Sequence, residues 1–90
     1  MKKYFEWDEN KRHANLEKHG IDFVDAIQIF ADAACIEFDS VRNGEKRYQV
    51  IGMVEEVVIL LVYTGRSEKK RVISARRASK KEREVYYSLR

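Results

Sequence analysis

One stretch constrains this chain more than any other. From Val57 to Thr64 it reads VVILLVYT, apolar at almost every position. Its β-branched and aromatic content favours a strand, and its length fits one. A strand apolar on both faces must be covered on both faces, so it is expected at the centre of a sheet. The segments on either side would then lie next to it and carry the chemistry.

Ninety residues suffice for one small domain over 1–90 with a single core. No apolar run is long enough to span a membrane, and MKKYFEWDENK lacks the apolar stretch of a signal peptide. The single cysteine, Cys35, excludes an internal disulfide framework, and a cytoplasmic location is the simplest expectation. Proline is absent and glycines number four, so no linker or repeat is evident.

The net charge of +3 conceals an asymmetry. Residues 1–65 carry 8 Lys/Arg against 12 Asp/Glu, a net of −4, while residues 66–90 carry 10 against 3, a net of +7. A basic end on a small domain points to a polyanion, most often nucleic acid. A merely solvated basic helix would give the same count.

Weak alternation over Lys3–Trp7 predicts a short strand. Asp8 then caps a helix that runs to about His19 and stops at Gly20. Lys11, Asn15 and Lys18 line one stripe of that helix. This stripe is either an ordinary solvated face or part of a site. A second helix begins at Asp22 and fades near Asp32, with Phe23, Ala26, Ile27 and Phe30 facing the core. Ala34, Ile36 and Phe38 alternate as a half-buried strand, and Arg42-Asn43-Gly44 signals a hairpin. The return strand, Glu45–Ile51, puts Glu45, Arg47 and Gln49 on one face and Lys46, Tyr48 and Val50 on the other. Gly52–Glu56 is read as the next turn. Strand Lys70–Arg76 is read with Arg71, Ile73 and Ala75 on one face and Val72, Ser74 and Arg76 on the other. Ser79 and Glu82 then form a capping box that starts a last helix. The expected fold is α+β, with a small antiparallel sheet, two N-terminal helices and a C-terminal helix.

Arg76-Arg77, between a strand end and a helix start, is a phosphate signal. Salt bridges to Glu82 and Glu84 are the alternative reading. The parts for RNA cleavage are present. Glu45 or His19 can act as base, Arg47, Arg76 and Arg77 can hold the phosphate, and Lys18 or His19 can supply the acid. Trp7 or Tyr48 can stack on a base, with Lys11, Lys80 and Lys81 as further RNA contacts. His13 and His19 stand six apart with no tight carboxylate cluster near them, so neither a metal nor another cofactor is expected. A non-catalytic nucleic-acid-binding module is the competing reading of the basic C-terminal third.

Phe5-Glu6-Trp7-Asp8, Lys11, Asn15, Lys18-His19-Gly20 and Phe23 together resemble the N-terminal signature of the BrnT family. Glu45-Lys46-Arg47-Tyr48, Ile51-Gly52 and Ile73-Ser74-Ala75-Arg76-Arg77-Ala78 with Glu82 resemble the remainder of its pattern. The resemblance implies a toxin of a type II toxin–antitoxin pair with a RelE-like ribonuclease fold. It implies RNA cleavage that halts translation. It also implies a ribbon–helix–helix antitoxin that binds DNA and neutralises the toxin in a 2:2 assembly.

Overall fold

A computed structural model describes residues 4–89. The elements run β1 (Phe5–Glu6), α1 (Glu9–His19), α2 (Phe23–Ala26), a 3₁₀ turn (Ile27–Ala31), β2 (Ile36–Arg42), β3 (Glu45–Val54), β4 (Val57–Arg66), β5 (Lys69–Arg77) and α3 (Lys80–Ser88). The five strands form one sheet in the order β1-β5-β4-β3-β2. The apolar run is β4, third of five, as its composition demands.

Both faces of β4 are covered. Ile59, Leu61 and Tyr63 pack with Val50, Val72, Ala75, Phe23, Ala26, Ile27 and Ile29 in the larger core, beneath α2 and the 3₁₀ turn. Val58 and Leu60 pack with Ile51, Ala78 and Tyr86 in a smaller core on the other face, beneath α3. Asp32 joins the two layers. Its carboxylate accepts from the Met53 amide at 2.8 Å and the Tyr86 hydroxyl at 2.6 Å.

The caps follow the sequence. Asp8 accepts from the amides of Asn10 and Lys11, and Gly20 ends α1 at φ 71°. Asp22 caps α2 by accepting from Val24. Ser79 and Glu82 form a complete capping box at α3. Asn43 and Gly44 take φ of 53° and 76°, the positive pair that a type I′ hairpin turn requires.

Five expectations need correction. The sheet is mixed, not antiparallel, because β1 pairs in parallel with β5 through Phe5↔Lys70 and Glu6↔Arg71. The first strand is also shorter than read, and Lys3 lies outside the described residues. The second helix is one α-turn that tightens into a 3₁₀ turn from Ile27, which lets Ile29 press onto the sheet. Gly52 is not a turn residue. It lies inside β3, where a Cβ would stand 2.6 Å from Ile29 Cγ1 and 2.9 Å from Cys35 Cβ, so only glycine fits this close approach. The true turn is Glu55-Glu56. Finally, simple alternation fails in β5. Tyr63 pairs with Val72 but Val62 pairs with Ser74, so Ile73 is an extra, bulged residue. The bulge puts Val72 and Ala75 into the same core, and the pattern resumes with Arg76 and Arg77 on opposite faces.

Beyond Arg71, no strand among the described residues lies on the outer side of β5, and α1 lies there instead. The buried Asn15 side chain donates to the Ala75 carbonyl at 2.8 Å and accepts from the Ala75 amide at 3.1 Å. One side-chain amide thus satisfies both edge groups, as a neighbouring strand would. Asn15 also donates to the Ile21 carbonyl at 2.9 Å, which fixes the exit from α1.

Candidate functional site

His19 occupies the last helical position of α1, directly before the left-handed Gly20. The chain then turns through Ile21 into α2. Across from this corner stand the start of β4, the end of β5 and the Glu55 turn. These pieces enclose a cleft of about 340 Å³ lined by His19, Asp22, Asp25, Glu55 and Arg77 over an apolar floor that includes Ile21, Val57 and Ile59. His19 and Arg77, 58 residues apart in sequence, therefore meet at one cavity.

The charges in this cleft are of two kinds. Asp22 is committed to structure. Arg12 holds it through two hydrogen bonds of 2.8 and 3.0 Å, and Arg12 also donates to Glu9 at 2.8 Å. This guanidinium keeps the Asp22 carboxyl below its ordinary range. By contrast, the side chains of His19, Asp25, Glu55 and Arg77 form no hydrogen bond or ion pair among the described residues. Cationic and anionic groups share a small cavity and do not pair with each other. Such an arrangement suits a ligand that carries charge.

Glu55 reaches the cleft from a backbone it should avoid. Glu55 and Glu56 have φ of 49° and 69°, two consecutive non-glycine residues in the left-handed region. Each costs about 1–2 kcal/mol relative to a residue suited to that region. Sequence reasoning passed over Glu55 as part of an acidic turn. The usable signal was the turn itself, which holds two glutamates where a two-residue hairpin favours Asn-Gly.

Arg76 faces away from Arg77. In register, Arg76 pairs with Leu60 of the smaller core and Arg77 with Ile59 of the larger one. Arg76 makes a bidentate contact to Glu82, both distances 2.9 Å, and donates to the Arg77 carbonyl at 3.1 Å. Glu82 accepts from the Ser79 amide as well, and the Arg76 guanidinium keeps its carboxyl below the ordinary range. Arg76 therefore clamps the β5–α3 junction. Lys80 and Lys81 are exposed on the first turn of α3, just past that clamp.

Glu45 and Arg47 are not brought to the cleft. Arg77 pairs with Ile59, and Ile59 with Gly52, seven residues along β3 from Glu45. At about 3.3 Å per residue this is about 23 Å. Glu45 and Arg47 instead sit at the far end of the smaller-core face, beyond the cover of α3. The Arg47 Nε is shielded from solvent with no hydrogen-bond partner among the described residues, and the Glu45 carboxylate lies 3.5 Å from it.

The remaining residues divide between packing and surface. Trp7 donates to Glu9 at 2.9 Å and packs edge-on to Phe23, with centroids 6.0 Å apart, so its ring belongs to the core. Tyr48 stacks on Tyr63 at 5.0 Å, and Tyr63 in turn donates to Glu37 at 2.7 Å. Burial, with Glu37 beside it, holds the Tyr63 phenol well above its ordinary range. Lys11 and Lys18 line a groove of about 240 Å³ between α1 and β5, which adjoins the cleft through His19. Among the described residues, no group of three His, Cys, Asp or Glu is placed to hold a metal ion, and no helix is long and apolar enough to cross a membrane.

No curated protein matches the chain. A family model does, over nearly the whole domain and including His19, Glu55 and Arg77: residues 7–82 match that of the ribonuclease toxin BrnT of type II toxin–antitoxin systems, and the chain belongs to this family.

Proposed function

We propose that this toxin cleaves RNA endonucleolytically without a metal ion, at the cleft between His19 and Arg77. The observation that carries this reading is the gathering of His19, Arg77 and Glu55 around one 340 Å³ cavity, with none of their side chains partnered among the described residues.

The chemistry these groups can perform is transesterification. Glu55 removes the proton from a 2′-hydroxyl, and the 2′-oxygen attacks the adjacent phosphorus. Arg77 stabilises the charge that develops on the non-bridging oxygens. The bond from phosphorus to the 5′-oxygen breaks, and His19 protonates that oxygen as it leaves. The products are a 2′,3′-cyclic phosphate and a 5′-hydroxyl. In this assignment Glu55 takes the basic role for which Glu45 and His19 were the candidates, and His19 keeps the role of acid. Arg76 and Glu82 fix the strand end that carries Arg77, and Arg47 is left for RNA contacts outside the cleft.

The biological reading follows from the family. Cleavage of RNA in the cytoplasm would halt translation, on a RelE-like scaffold. The antitoxin partner would be a ribbon–helix–helix protein, bound 2:2, that brings acidic side chains over Arg77 and covers the cleft. Such a complex should weaken markedly at high salt.

The test is incubation of the purified chain with a long RNA in EDTA, beside the Arg77→Ala and His19→Ala variants. Cleavage by the parent, with 2′,3′-cyclic ends, and not by the variants is the expected result. Equal cleavage by all three would remove the site assignment. Salt-dependent binding without cleavage, in buffer and in a translation extract, would favour a non-catalytic nucleic-acid-binding module.

A further inference from the structure

The groove between α1 and β5 has no role in the chemistry above, yet it opens onto the same imidazole. Its shape has two causes. Asn15 turns inward to pair with Ala75, which brings α1 alongside the bare edge of β5. The bulge in β5 then places Ile73 and Ser74 side by side under the helix. The result is a slot lined by Ala14, Ile73 and Ser74, with Lys11 and Lys18 at its rim. The two lysines lie seven residues apart on one helix, about 10 Å along its axis. Both are exposed, and neither forms an ion pair among the described residues. Like charges held near one apolar slot, with no acidic neighbour on the groove, leave an anion-binding rim over a surface suited to a flat ring.

We infer that this groove is a subsite for one unpaired nucleotide of single-stranded RNA, next to the nucleotide whose phosphate is cleaved. The inference rests on the ribonuclease reading for its place in the reaction. His19 lines both cavities, so a strand that leaves the cleft past the imidazole reaches the groove next. Lys11 and Lys18 meet its phosphates. Ala14 and Ile73 meet the base through its face, which all four bases share. The slot is walled by a helix on one side and a strand edge on the other, so a paired base cannot enter. The consequence is a toxin that prefers single strands and tolerates any base in this position.

Binding of 2′-O-methyl oligonucleotides tests this without cleavage. Fluorescence anisotropy would compare a dinucleotide, a tetranucleotide and a duplex carrying the tetranucleotide sequence, over a salt series. The parent should bind the tetranucleotide more tightly than the dinucleotide and more tightly than the duplex. For Lys11→Gln/Lys18→Gln, the slope of log K against log salt on the tetranucleotide should fall by about 1.4, two contacts at about 0.7 each. The dinucleotide slope should stay as it was. Ala14→Trp, which fills the slot from an exposed helix position, should bring tetranucleotide affinity down to that of the dinucleotide. Unchanged slopes and affinities in both variants, or duplex bound as well as single strand, would overturn the inference. A chain that shows the groove effects yet cuts no RNA in EDTA would lose the ribonuclease reading alone. A chain that cuts RNA with no groove effect would lose the groove alone.

Discussion

Strand β3 begins and ends at two hairpin turns of the same length. At one end Asn43 and Gly44 supply the positive φ values with residues that adopt them readily. That turn is exposed and borders none of the cavities described above. At the other end Glu55 and Glu56 take nearly the same conformation with side chains that resist it. That turn borders the cleft with His19 and Arg77. The backbone problem is identical and the solutions differ. Where only geometry matters, the chain uses the residues geometry prefers. At the turn that borders the cleft, it places glutamates on a less favourable backbone.

The largest expected effects test whether the cleft is where the chemistry happens. Arg77→Ala and His19→Ala should each lower the RNA cleavage rate by about 10²–10⁴ while leaving the unfolding midpoint close to that of the parent. If both cut normally, the Glu55 turn is strained for some other reason. Next comes the turn itself. Glu55→Asn/Glu56→Gly should stabilise the protein by about 1–3 kcal/mol in urea unfolding and lower cleavage by about 10². A gain in stability with full activity would break the contrast between the two turns. The reciprocal change, Asn43→Glu/Gly44→Glu, should lose about 1–3 kcal/mol and leave the cleavage rate per folded molecule unchanged.

The smallest effect concerns the paired carboxyls rather than the free ones. Arg12 lowers Asp22 from its ordinary 3.8, and Arg76 lowers Glu82 from 4.5. Groups lowered in the folded state contribute stability that is complete above those ordinary values and is lost as pH falls through the lower folded ones. Urea midpoints should therefore drop below about pH 4, and Asp22→Asn or Glu82→Gln should flatten that drop. A midpoint independent of pH down to 3 would show that neither pair contributes.

Much of this architecture is legible in the residues. The apolar run of β4, the caps at Asp8, Gly20 and Ser79, and the Asn43-Gly44 hairpin are local rules that the fold obeys. What escapes is long-range. Nothing local in Phe5-Glu6 says that it pairs with Lys70-Arg71 in parallel. Period-two reasoning cannot foresee the bulge at Ile73, so it puts Val72 and Ala75 on different faces. Gly52 reads as a turn because its reason, the approach of Ile29, lies 23 residues away. The candidate site is legible in its residue types and less so in its membership. His19 and Arg77 converge, but adjacent strand residues point apart, which separates Arg76 from Arg77. Glu45 and Arg47 share a strand with the cleft wall and lie at its opposite end. Glu55 breaks a turn rule, and that was its only signal.

The Asn15–Ala75 pairing has a further consequence. Two parallel hydrogen bonds between a side-chain amide and one residue's backbone index α1 against β5, so the helix cannot slide by a fraction of a turn without losing both. His19 rides one turn further along that helix and Arg77 two residues further along that strand. The spacing between the imidazole and the guanidinium is thus set at a distance by a neutral residue that hydrogen-bonds to Ile21 and Ala75 and to neither of them. A change at Asn15 would detune the cleft before it unfolded the domain, and slow amide exchange at Ala75, on an otherwise bare strand edge, would report how firmly that spacing is held.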